Sequence, residues 1–106
     1  MTAVRVYQPS TRLFSAADSS DLSAWVHQNL AEGAKNLVID FQNVMFMDSQ
    51  GLGALMSASK AVKRAGGKFA LCSMQEQAQM LLDLAGMNSV FNVYDSPEEF
   101  KSQLTA

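Results

Sequence analysis

One cysteine, one tryptophan, one histidine and two prolines stand among the 106 residues. A lone cysteine, Cys72, cannot close an internal disulfide, and without a Cys/His cluster there is no metal-ligand spacing and no metal site is expected. A reducing compartment is the simple reading. Charge of one sign is also scarce: the net charge is −2, and no long run is basic or acidic. That argues against nucleic acid, which selects a basic face, and against a polybasic membrane anchor. Met1 to Gln8 lacks the apolar centre of a signal peptide. No apolar stretch approaches the ~20 residues that span a bilayer. A cytoplasmic protein is expected.

What is present is a core. Hydrophobic residues make up 48% of the chain, enough for one domain, residues 1–106, with no second lobe. Val4 and Val6, with Gln8, alternate against Arg5 and Tyr7 and predict a short strand. Pro9-Ser10 reads as a turn and Arg12-Leu13-Phe14 as a second short strand. From about Ala16, Leu22, Trp25, Val26 and Leu30 recur at helical spacing, up to Gly33. Leu37-Val38-Ile39 is a candidate buried strand ending in Asp40. Phe41 to Met47 reads as a loop with another short extended piece.

A helix is predicted from about Gln50 to Ala65, with the stripe Leu52, Leu55, Met56 and Val62, closed by Gly66-Gly67. Lys60, Lys63 and Arg64 near its end complement the helix dipole. Lys68 to Cys72 reads as a strand, and Gln75 to Ala85 as a helix facing the core through Met80, Leu81 and Leu84. Val90 to Tyr94 is a last strand. Ser96-Pro97-Glu98-Glu99 has the form of a capping box opening a short helix with Phe100 and Leu104. Alternating strands and helices predict an α/β fold with a mostly parallel sheet. The first short strand is free to pair antiparallel at an edge.

The most informative stretch is Phe46-Met47-Asp48-Ser49-Gln50-Gly51-Leu52-Gly53. Asp48 or Ser49 at the loop–helix junction suits an N-cap. Helix stability does not explain Gly51 and Gly53, each costing about 1 kcal/mol against alanine in a helix; a bare backbone surface open to a partner does. The same junction suits phosphorylation of Ser49, because a helix N-terminus offers free N–H groups and the positive end of its dipole. A phosphate adds about −1.5 to −2 charges, which at the centre of an interface would abolish binding.

These residues, with Lys63-x-x-Gly66-Gly67, Leu71-Cys72 and Leu84-x-Gly86, keep order and spacing over the run from Val44 to Gly86. The run resembles the STAS family, and within it the bacterial anti-sigma factor antagonists. The β–β–α–β lead-in fits the same family. The resemblance implies a STAS-like, mostly parallel sheet of four to five strands flanked by about four helices. It implies that Ser49 is phosphorylated by an anti-sigma factor that is itself a serine kinase. The unphosphorylated form would bind that kinase and free a sigma factor, and a PP2C-type serine phosphatase would remove the phosphate. Asp48 matches the acid that precedes the serine. The partner-facing set is then Met47, Asp48, Ser49, Gln50, Gly51, Gly53 and Met87, with no cofactor and a monomer as the default state. One departure stands out. Family members carry Gly-x-Leu-Asp at the end of the second strand, where this chain has Arg12, Phe14 and Ser15.

The remaining residues point to no chemistry. Met45, Met56, Met74 and Met80 are expected to be core fillers, unlike Met47 and Met87 in loops. His27 is expected to face solvent. Cys72, with no charged neighbour in sequence, reads as a small hydrophobe. An enzyme with Ser49 as nucleophile would need a base and an oxyanion site. The motif is not Gly-x-Ser-x-Gly, and the sole histidine belongs to another helix. A third reading keeps the fold without phosphorylation, as a scaffold or small-ligand module.

Overall fold

The structure, a computed structural model, describes residues 3–105. The strands are β1 (Val4–Tyr7), β2 (Leu13–Phe14), β3 (Asn36–Asp40), β4 (Phe46–Met47), β5 (Lys68–Cys72) and β6 (Asn92–Tyr94). The helices are α1 (Ser19–Ala31), α2 (Ser49–Arg64), α3 (Glu76–Leu84) and α4 (Pro97–Thr105). The predicted start of the first helix at Ala16 is a separate 3-10 turn, Ala16–Asp18, ahead of α1.

The main sheet has the order β1-β3-β5-β6 with every pair parallel. The antiparallel option left open for the first strand is therefore corrected. A helical crossover, α1, separates β1 from β3, and such a connection returns the chain in its original direction. The two shortest strands form a sheet of their own. β2 follows β1 and β4 follows β3 along the chain, so both leave the same ends of two parallel neighbours. They meet again as a second parallel pair, Leu13 against Phe46 and Phe14 against Met47. Asp40 helps fix both departures: its carboxylate accepts from the Gln42 N–H at 3.0 Å and from the Gln8 side chain at 3.4 Å.

Both faces of the main sheet are covered, which explains why Leu37-Val38-Ile39 is apolar throughout. Leu37, Ile39, Phe69 and Leu71 join the larger core with Leu22 and Val26 of α1 and Leu52, Leu55 and Val62 of α2. Val38, Ala70 and Cys72 join a smaller one under Phe100 of α4. The Ser96 hydroxyl caps α4 by accepting from the Glu99 N–H at 3.2 Å. The last strand is shorter than the expected Val90–Tyr94, because Val90 and Phe91 donate backbone bonds to Met87 in the turn after α3.

The face of α3 differs from expectation. Met80 and Leu84 point outward, Leu84 at 79% exposure, while Ala78 and Leu82 are buried and Leu81 is partly so. Ala78 and Leu82 are one turn apart and select the face by fit. A small residue lets the helix approach, and large apolar residues elsewhere do not outweigh that contact.

Candidate functional site

The site is built from the end of β4 and the first turn of α2. Asp48 is the N-cap: its backbone is extended, and its carboxylate accepts from the Gly51 N–H at 2.8 Å. Ser49 is thereby the first helical residue rather than the cap, which settles the choice between them. Its side chain is exposed and makes no hydrogen bond among the described residues. The N–H groups of Ser49 and Gln50 likewise have no acceptor among the described residues. An exposed hydroxyl thus stands beside free donors at the positive end of a sixteen-residue helix, the arrangement that accommodates a phosphate.

Beneath this turn lies the end of β2. The Asp48 N–H donates to the Phe14 carbonyl at 3.2 Å. The Phe14 ring packs edge-on against Phe41, their centroids 5.5 Å apart. Ser15 follows Phe14 as Asp48 follows Met47, so the position that departs from the family pattern does adjoin the serine turn. An acid is nevertheless present in that loop. Asp18, three residues on, accepts from the Ser15 N–H at 2.9 Å.

On the other side, the Gln77 carboxamide of α3 grips the backbone of Met47. Its oxygen accepts from the Met47 N–H at 2.8 Å, and its nitrogen donates to the Met47 carbonyl at 3.1 Å. Gln77 is a residue the sequence reading missed. It lies thirty positions from its partner, between two other glutamines of a helix start, and no local pattern marks it.

The predicted partner-facing residues divide. Asp48, Ser49, Gln50 and Gly53 are exposed. A Cβ on Gly53 would meet open space, so here the backbone is bare as expected. Gly51 is corrected: it is buried, and a Cβ there would strike the Phe14 carbonyl. Its glycine serves the approach of α2 to β2, not of a partner to α2. Met47 is corrected too, at 2% exposure, and Met87 is only partly exposed, packed against the core. Along β4, successive side chains face opposite ways, so Met47 turns in and Phe46 turns out, at 57% exposure. Phe46, Met45 and Met80 line an open hollow of about 300 Å³ with Gln75, Glu76 and Gln77. The outward methionines are therefore Met45, just before β4, and Met80 on α3.

His27 is exposed on α1, its Nδ1 2.8 Å from the Ser23 carbonyl of its own helix. Cys72 is buried, and burial pushes its thiol up to about 11. No helix among the described residues is long and apolar enough to cross a membrane.

Comparison with known proteins gives this arrangement a setting. The chain is similar to the anti-sigma F factor antagonist of Paenibacillus polymyxa, 32% identical over 62 residues, which are 58% of this chain and 53% of that protein. It is similar also to the anti-sigma-B factor antagonist of Bacillus subtilis (strain 168), 34% identical over 64 residues, 60% of this chain and 59% of the relative. The matched stretch thus spans little more than half the length of these curated relatives. Among solved structures, the fold is like that of the anti-sigma factor antagonist SpoIIAA in its unphosphorylated form, with a TM-score of 0.80, 13% identity and coverage of 99% of this chain and 90% of that one. It is equally like a sulfate transporter family protein from Wolinella succinogenes, with a TM-score of 0.83, 16% identity and coverage of 100% and 93%. At such identities the likeness is one of fold. The STAS domain family itself matches residues 3–100, nearly the whole chain, and the protein belongs to that family.

Proposed function

We propose that this protein is an anti-sigma factor antagonist whose partner binding is switched by phosphorylation of Ser49. In the unphosphorylated form it binds an anti-sigma factor that is also a serine kinase, and so frees a sigma factor. The kinase places a phosphate on Ser49, and a PP2C-type serine phosphatase removes it. The observation that carries this reading is the exposed, uncommitted Ser49 hydroxyl at the first residue of α2, beside the bare backbone of Gly53. A dianion there finds free N–H groups and leaves the helix intact, while an interface closing over it must desolvate the charge. The names of the two bacterial relatives support the choice of partner.

The reading is of a single cytoplasmic binding domain rather than an enzyme. Among the described residues no imidazole or carboxylate is hydrogen-bonded to Ser49. Binding needs no cofactor, nucleic acid or membrane. The test is the affinity for candidate anti-sigma factors of the parent chain, Ser49→Ala and Ser49→Asp, with mass spectrometry of the protein from its own cells. Ser49→Ala is expected to bind as the parent does, and Ser49→Asp about tenfold more weakly or worse, as an uncompensated interfacial charge requires. Equal binding by both variants, or a Ser49 never phosphorylated under any growth condition, would remove the switch.

A further inference from the structure

We infer that Gln77 is a positioning residue for Ser49, acting from α3 through the backbone of Met47. The inference deepens the reading of Ser49 as the modified residue and rests on it. β4 is two residues long, and a strand so short holds little by itself. Its inner edge is paired: the Phe46 N–H donates to the Arg12 carbonyl at 3.0 Å, and the Asp48 N–H to the Phe14 carbonyl. Met47 lies between these residues and turns its N–H and carbonyl the opposite way, toward an edge with no strand. The Gln77 carboxamide occupies that edge with an acceptor and a donor side by side, as a neighbouring peptide group would.

The anchor is firm because the next residue, Ala78, and Leu82 one turn on are fully buried. Gln75, two residues earlier, donates to the Gln42 carbonyl at 3.0 Å, so the same helix start also holds the loop before β4. The extended backbone of Asp48, and with it the direction in which Ser49 enters α2, is thus held from both sides. Without Gln77 the outer tether is lost, two peptide groups open to water, and the first turn of α2 is free to shift relative to its cap.

A thiol at position 49 makes this measurable without a partner. In Ser49→Cys the only other thiol, Cys72, is fully buried, so alkylation by iodoacetamide reports the introduced group. A helix N-terminus lowers a thiol pKa below its ordinary value, so the pH profile of alkylation reads how well that turn is formed. Adding Gln77→Met is expected to move the profile upward and slow alkylation at pH 7 by about threefold or more, as the thiolate fraction falls. Adding Gln77→Ala removes the carboxamide without introducing a charge, and a shift in the same direction is expected. A residue that only stabilised the fold would lower the melting temperature and leave the profile where it was. Unchanged profiles in folded variants overturn the inference, and if Gln77→Met does not fold, Gln77→Ala decides alone. A shifted profile alongside equal anti-sigma factor binding by Ser49→Ala and Ser49→Asp would sink the switch and leave the positioning role standing.

Discussion

A methyl group on Gly51 would strike the carbonyl oxygen of Phe14 and come within 2.9 Å of its ring. The two glycines of the serine motif therefore answer to different constraints. Gly51→Ala forces α2 away from β2, and overpacking of this kind costs about 2–3 kcal/mol. Gly53→Ala meets open space and gains about 1 kcal/mol in helix propensity. Urea unfolding midpoints should move in opposite directions. If Gly53 is bare for a partner, the stabilised variant should nonetheless bind an anti-sigma factor more weakly.

Asp48 can be divided into its cap and its charge. Asp48→Ala removes the acceptor of the Gly51 N–H and should cost about 1 kcal/mol, the usual worth of an N-cap. Asp48→Asn keeps an acceptor oxygen and should stay within a few tenths of a kcal/mol of the parent. Should Asp48→Asn also retain full anti-sigma factor binding, the carboxylate is a cap and nothing more. Weakened binding at unchanged stability would assign its charge to the interface.

Cys72 carries a pH signature. Burial raises its thiol from the ordinary 9.0 to about 11. Below pH 9 the thiol is protonated in both folded and unfolded chains and has no effect on the pH slope. Above pH 9 the unfolded chain loses the proton more readily, so stability should fall as pH rises from 9 through 11. Cys72→Ala should flatten that part of the stability curve. In the native parent, thiol reagents at pH 8 should react only as fast as the protein unfolds.

Phe100 is the fully buried α4 residue in the smaller core, packed with Val38, Ala70 and Cys72. Phe100→Ala should cost about 3–5 kcal/mol and expose that face of the sheet. Amide exchange should then quicken in α4 and at Cys72, while Ser49, served by the opposite face, keeps its environment. Coupled loss at both sites would mean that the two cores unfold as one.

Much of the architecture was legible along the chain because its signals are local. The stripe Leu52, Leu55 and Val62 marked α2 correctly, since a long amphipathic helix has many positions that agree. α3 was placed correctly but turned the wrong way. Nine residues with apolar groups on two sides fit more than one orientation, and Ala78 against the core is worth more than its small size suggests. Met47 failed for a related reason: a two-residue strand is too short to show its alternation, so inward and outward side chains look alike.

By itself, then, the order of residues determined the alternation of strands and helices, a mostly parallel sheet, and a serine at a loop–helix junction between an acid and two glycines. These depend on neighbours a few positions apart, where propensity, capping and periodicity operate. Only the folded chain decided that Gly51 is a packing residue while Gly53 is open, that Phe46 and Met80 face outward together, and that Gln77 reaches across thirty residues to hold Met47. Contacts of that range arise when separate elements dock, and close packing at the junction of β2, β4, α2 and α3 settles which atoms are covered and which remain free to meet another protein.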